Sequence, residues 1–120
     1  MSGDESLRRF RAHEKAVVLF DHVVMDLSPL AKNPSLQRLI SQQFASADSI
    51  ASNIEEGYGR GSSLDYSRFL LIARGSAQET AGRYKRLRHW LPEEVVLART
   101  ALCDEIIAIL TASIRTLRAK

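Results

Sequence analysis

Three prolines and six glycines are the strongest breaks in the 120 residues, and their placement restricts the fold more than any other feature. Pro29, Pro34 and Pro92, with the cluster Gly57, Gly59 and Gly61, stand between long runs whose apolar residues recur every three or four positions. Proline in a helix interior removes a hydrogen bond and clashes with the preceding turn, whereas in the first turn its missing N–H has no partner to lose. The three-and-four spacing marks one buried helical face. The chain is therefore read as four helices, with no strand candidate.

The first segment runs roughly from Arg11 to Leu27, with Ala16, Phe20, Val23 and Leu27 on one face, and Ser28 and Pro29 stop it. Residues 1–10 are read as a flexible N-terminal segment. The second opens near "NPSLQ", with Pro34 in its first turn, and continues through Leu36, Ile40, Phe44, Ala47, Ile50 or Ala51, and Ile54 to Glu56. In the third, Ser62 followed three residues later by Asp65 resembles a capping box, and Tyr66, Phe69 or Leu70, Ala73, Ala77, Thr80, Tyr84 and Leu87 carry it to about Trp90. The fourth opens at "LPEEV", where Pro92 sits in the first turn and Glu93 and Glu94 favour the positive end of the helix dipole.

Four amphipathic helices joined by short turns pack most simply as an all-α, antiparallel up-down-up-down bundle, a single domain over residues 1–120. The fourth helix carries two adjacent apolar stripes. One is Val95, Leu102, Ile106 and Ile109; the other is Val96, Cys103, Ile107, Leu110, Ile114 and Leu117. That is more than one core requires, and the excess points to a subunit interface.

A formal charge of +3 permits a nucleic-acid partner without the density of a dedicated basic tail. The single cysteine, Cys103, cannot form an internal disulfide, and "MSGDESLRRFR" lacks the apolar core of a signal peptide. Ala16 to Phe20, the longest aliphatic-aromatic run, is far short of the ~20 residues that cross a bilayer. The expectation is a protein of the reducing cytoplasm with no membrane partner.

"NIEEGYGRGSS", residues 53–63, alternates three glycines beside two carboxylates and an arginine. A phosphate-cradling loop follows a strand and ends in lysine with serine or threonine. This stretch follows a helix and ends in two serines, so a corner between helices is the better reading. Gly57 and Gly59 are expected to end the second helix in left-handed backbone, and Arg60 either caps carbonyls there or reaches a ligand.

Here "SIASNIEEGYGR" (Ser49 to Arg60) and "FLLIARGSAQE" (Phe69 to Glu79) resemble the bacterial four-helix bundle protein family, also called the 23S ribosomal RNA intervening-sequence proteins. Its pattern reads S-I-x-x-N-I-A-E-G-x-G-R, then F-L-x-x-A-x-G-S-x-x-E. Ser49, Ile50, Asn53, Ile54, Glu56, Gly57, Gly59 and Arg60 match the first half; Phe69, Leu70, Ala73, Gly75, Ser76 and Glu79 match the second. The resemblance implies an antiparallel bundle assembling as a homopentameric ring. The family's name records that some of its genes lie within insertions in the large ribosomal RNA gene. A more distant likeness, to the accessory protein of diversity-generating retroelements, implies nucleic-acid binding through a basic surface beside a nucleic-acid-processing partner. Glu55 departs from the pattern, which commonly has a small residue there, and its carboxylate weakens attraction for phosphate.

The motif residues read mainly as structural. Glu56 is expected to pair with Arg60 or Arg68, and Asn53 to bond backbone groups across the hairpin. Gly75 and Ser76 in mid-helix call for close approach of a neighbouring helix, since glycine costs ~1 kcal/mol there relative to alanine. Arg74 and Glu79 serve either the bundle or a subunit interface. No nucleophile or metal arrangement accompanies the carboxylates Glu55, Glu56, Asp65 and Glu79, and His13, His22 and His89 are scattered. His22 and Asp26, one turn apart, read as a surface pair, and Cys103 as a small core residue. The expectation is a protein without catalytic residues, metal or cofactor.

"RYKRLRHW", Arg83 to Trp90, sets four cations among aromatics in two helical turns, with Arg83 and Arg86 on one side and Lys85 and Arg88 nearby. These either complement the negative end of the helix dipole or contact phosphate. An up-down path puts Arg115, Arg118 and Lys120 at the opposite end, near Arg60, Arg8, Arg9 and Arg11, so two basic regions result. Repeated around a ring they become multivalent, with salt-dependent, weakly selective binding. Two functions are open: nucleic-acid binding, to RNA (structured RNA included) or DNA, alone or with a nucleic-acid-processing protein; or a scaffold for protein assembly.

Overall fold

Residues 3–120 are described by the structure, a computed structural model, and among them every regular element is helical. The four long helices are α1 (Gly3–Leu27), α2 (Gln37–Tyr58), α3 (Ser63–Arg86) and α4 (Glu93–Arg118). Short 3₁₀ turns at Ser28–Leu30, Pro34–Leu36 and Leu87–His89 lie between them.

Helix α1 starts well before Arg11. Glu5 lies on the same face as Ala12 and Ala16 and is buried with them, and Arg8 joins it at 2.9 Å while donating to Thr116 of α4 at 3.0 Å. Residues 3–10, expected to be a flexible segment, are thus the packed first turns of α1; Met1 and Ser2 lie outside the described residues. Pro34 opens a 3₁₀ turn capped by Asn33, whose side chain accepts from the Ser35 amide at 3.0 Å, and α2 follows it. Ser62 caps α3, accepting from the Asp65 amide at 3.1 Å as its spacing predicts, but the Asp65 carboxylate turns to Arg68 at 3.2 Å instead of closing the box. Pro92 sits one step before α4 as its N-cap, in extended backbone (ψ 147°), leaving Glu93 and Glu94 in the first turn. The α-helical part of α3 stops at Arg86, short of Trp90.

The α2–α3 corner differs from the expectation in its cause. No glycine among the described residues has a positive φ, and Gly59 caps α2 at φ −74°. Gly57 is still inside α2, and a Cβ there would stand 2.7 Å from the Cβ of Phe69 and 3.0 Å from the Tyr66 ring. Its missing side chain lets α3 approach; left-handed backbone is not involved.

One core is shared by all four helices. Ala16, Leu19 and Val23 of α1 meet Ile50 and Ile54 of α2, Leu70, Ala77 and Tyr84 of α3, and Ile106, Leu110 and Leu117 of α4. Each fully buried leucine or isoleucine contributes about 1.5–3 kcal/mol relative to exposure. On α4 the second apolar stripe is almost entirely buried, Leu102, Ile107 and Ile109 pack half-buried against this core, and Val95 is half-buried. Leu97 is the one large apolar residue of that helix that is exposed. A group of outward apolar residues lies on α1, where Val17, Val18, Val24 and Met25 are exposed, and Leu64 and Ile72 are exposed on α3.

Polar contacts fix the neighbours. Lys15–Glu105 (2.7 Å) and Asp26–Arg99 (2.8 Å) join α1 to α4, and His13–Glu55 (2.6 Å) joins α1 to α2. Ser76 donates to Ser49 across α2 and α3 at 2.8 Å, and Arg74 of α3 donates to Thr111 of α4 at 3.3 Å. The start of α1, the α2–α3 corner and the end of α4 consequently share one end of a body 48 Å long.

Candidate nucleic-acid interface

Most motif residues converge on the seam between α2 and α3. Asn53 donates to the Ser49 carbonyl (2.8 Å) and hydroxyl (2.9 Å), so its bonds stay within α2, and it is Ser76 that crosses to Ser49. One turn further, Gln43 donates to the Thr80 carbonyl at 2.9 Å, and the Ser46 and Thr80 hydroxyls lie 2.8 Å apart. Arg83 enters this network from α3, its Nη1 reaching the Gln43 side-chain oxygen at 2.8 Å and the Ser46 hydroxyl at 3.0 Å. Only 8% of Arg83 is exposed. Burial, then the neighbouring Arg86, pulls its pKa down, Glu79 opposing them, though a guanidinium stays charged at neutral pH. Gln43 and Ser46 stand at core-facing positions of α2 that an apolar stripe passes over, and they are satisfied by Thr80 and Arg83 of α3 as buried polar groups require.

Arg83 is therefore set apart from its sequence neighbours. Lys85, Arg86 and Arg88 are exposed, and Arg88 donates to the Lys85 carbonyl at 3.0 Å, a capping role at the end of α3. Glu56 pairs with Arg60 at 2.5 Å rather than with Arg68. Gly75 is not closely approached within the chain, because a Cβ there would meet nothing within 4 Å. Glu79 is exposed beside a shallow cavity of about 380 Å³ that Ser46, Ser49, Ser76 and Arg83 also line.

A second polar cluster joins α1, α3 and α4. Asp26 does not form a surface pair with His22; its side chain is 8% exposed and is held by Arg99 and by the Tyr84 hydroxyl. Burial pushes the Cys103 thiol up to about 12, so it is a neutral core group at physiological pH. Among the described residues no three His, Cys, Asp or Glu side chains gather as metal ligands, and no helix is long and apolar enough to cross a membrane.

The end of the body that carries the α2–α3 corner brings cations and aromatics together. Tyr58, half exposed, separates two cavities. One, of about 220 Å³, is lined by Arg9, Phe10, His13, Ile54, Glu55 and Tyr58. The other, of about 160 Å³, includes Arg60, Ser62, Tyr66 and Lys120. The Arg9 guanidinium lies over the Tyr58 ring, 3.5 Å from its centroid, and the Arg60 guanidinium 4.9 Å from that of Phe69. Arg115 and Arg118 are exposed on the last turns of α4 at this same end. Burial, and the nearby Glu5 carboxylate, raise the Tyr66 hydroxyl to about 12, so it stays protonated beside these cations.

Four helices around one core, with Ser49 and Ser76 bonded across the α2–α3 seam, define an all-α four-helix protein. The chain belongs to the 23S rRNA-intervening sequence protein family, whose model it matches over residues 8–112. A solved structure from Bacteroides thetaiotaomicron, described as a protein with unknown function from the S23 ribosomal protein family, is similar with a TM-score of 0.83. It is 22% identical over 90% of this chain and 98% of its own. No curated protein matches the chain.

Proposed function

We propose that this protein is a non-catalytic bundle of up-down-up-down path that assembles as a homo-oligomer, a pentamer, and binds structured RNA through its basic surfaces. The observation that carries the reading is the grouping of Arg9, Arg60 and Lys120 around the exposed Tyr58, with Arg115 and Arg118 at the same end. Phosphate contact by such cations gives affinity without base-reading machinery, and a ring multiplies it. The opposite region, Lys85, Arg86 and Arg88, is a lesser contributor, since Glu93 and Glu94 lie close to it in the chain and Arg88 is engaged with backbone.

The test is size-exclusion chromatography with light scattering, combined with anisotropy of a labelled RNA hairpin at low and high salt. A pentamer whose binding is salt-dependent, and is lost on reversing Arg60, Arg115, Arg118 and Lys120 together, supports the reading. Binding that survives that change and disappears on reversing Lys85, Arg86 and Arg88 moves the surface to the other end.

The second reading, an assembly scaffold without a nucleic-acid role, is favoured by exposed Val17, Val18, Val24 and Met25 on α1, a surface suited to another protein chain. An oligomer indifferent to RNA at every salt concentration supports it.

A further inference from the structure

We propose that the cavity between α1 and α2 receives one unpaired base of a single-stranded segment, stacked against Phe10, Tyr58 and Arg9, and that Glu55 selects bases carrying an exocyclic amine. The proposal rests on the nucleic-acid reading above and adds to it which part of an RNA is held and which bases are preferred.

Three features of this cavity fit a base. Its volume of about 220 Å³ has two aromatic rings on its lining, with Phe10 exposed by 60% and Tyr58 by 52%. Aromatic rings beside arginine form the stacking platforms that hold unpaired bases, since every base has a π-face. The Arg9 guanidinium already lies over the Tyr58 ring, 3.5 Å from its centroid, on the wall of this same cavity.

Glu55 supplies the opposite polarity. Glu55 lines the same cavity, and with its Oε2 lying 2.6 Å from His13 Nε2 its second carboxylate oxygen is left as an acceptor. Cytosine presents an amine donor beside acceptors on its Watson–Crick edge, and adenine an amine beside a ring acceptor. Uracil presents a carbonyl where cytosine has its amine, so it sets oxygen against the carboxylate. Across Tyr58, the adjoining cavity holds Arg60, Lys120 and two serines, groups suited to the phosphate attached to such a base. Glu55, which appeared only to weaken phosphate attraction, thereby becomes a source of base preference on a surface otherwise selective for charge.

Labelled oligocytidylate and oligouridylate of equal length, with an RNA duplex as reference, are titrated against the wild-type chain and the variants Phe10→Ala and Glu55→Ala at low salt. Both substituted side chains are exposed, and circular dichroism checks that the helices persist. The wild type is expected to prefer cytidylate about fivefold, the size of one net hydrogen bond. Phe10→Ala weakens single-strand binding about tenfold, as loss of one stacking partner does, and leaves duplex binding unchanged. Glu55→Ala removes a negative charge and so tightens binding generally, but the preference for cytidylate over uridylate disappears. Salt-dependent binding that is blind to both the Phe10 and the Glu55 changes overturns the pocket and leaves the basic end standing. A wild-type chain that binds none of the three nucleic acids overturns both readings.

Discussion

The Asp26 carboxylate accepts from Arg99 through Nε at 2.8 Å and through Nη2 at 3.0 Å, and the Tyr84 hydroxyl donates to it at 2.8 Å. Three helices meet in this one group. Burial alone would raise its pKa, but the Arg99 fork and the Tyr84 hydroxyl outweigh burial and hold it below the ordinary 3.8. A carboxyl depressed on folding contributes stability that is fully present above its unfolded pKa and is lost as pH falls through the folded value. Asp26→Asn should therefore cost about 2–3 kcal/mol at neutral pH, somewhat below the loss for a fully buried pair. The difference from wild type should narrow below about pH 4. Urea unfolding at neutral and acid pH measures it, and a difference that stays constant through the acid range contradicts the assignment.

Gly57 and Gly75 should respond oppositely to alanine. At Gly57 the new Cβ would lie 2.7 Å from the Phe69 Cβ, an atom fixed to its backbone, so α2 and α3 must part. Overpacking of this kind costs about 1–3 kcal/mol. At Gly75 the Cβ meets nothing within 4 Å, and the helix should gain up to about 1 kcal/mol from alanine's propensity. Thermal melts of the two variants in the isolated protomer decide it. Destabilisation by Gly75→Ala confined to assembled protein would instead place a neighbouring subunit against that face.

Arg83 should behave as a seam residue and its neighbours as surface residues. Arg83→Ala leaves Gln43 and Ser46 without their buried cationic donor, at a cost of about 2 kcal/mol. Replacing Lys85, Arg86 and Arg88 together should change stability by about 0.5 kcal/mol or less per site, because exposed substitutions rarely do more. Denaturant midpoints measured beside RNA affinity separate the two effects. Equal stability losses in both variants would contradict the division.

Legibility follows how local each cause is. The four helices and the Ser62 cap were readable because periodicity and a three-residue spacing carry them. Gly57 was recognisable as special, yet a sequence does not distinguish a glycine needed for its φ from one needed for close approach. Arg83 looked like part of a basic cluster because four cations stand within six positions, whereas its partner Gln43 lies forty residues away. Asp26 and Arg99 are separated by 73 residues, and no pattern links them. The cavity beside Tyr58 likewise combines the first turns of α1 with the last of α2. Arg9 and Phe10 lie in residues read as a flexible segment, and no spacing pattern joins them to Glu55 and Tyr58 more than forty positions away.

Assembly should depend on α1 more than on α4. The apolar excess of α4 is largely taken up by the core, with Val95, Leu102, Ile107 and Ile109 half-buried and Leu97 exposed, whereas Val17, Val18, Val24 and Met25 of α1 are all exposed. Apolar residues gathered on one helix are the material of a subunit interface, and burying each against a second copy would contribute about 1.5 kcal/mol or more. Val17→Lys with Met25→Glu should leave the protomer's helices intact, since neither side chain lies in the core, and should convert the proposed oligomer to monomer. Leu97→Glu should leave the mass unchanged. Light scattering reads both, with circular dichroism as the check on folding. An oligomer that survives the α1 pair and falls apart with Leu97→Glu would return the interface to α4, where the half-buried Leu102 and Ile109 would then complete it.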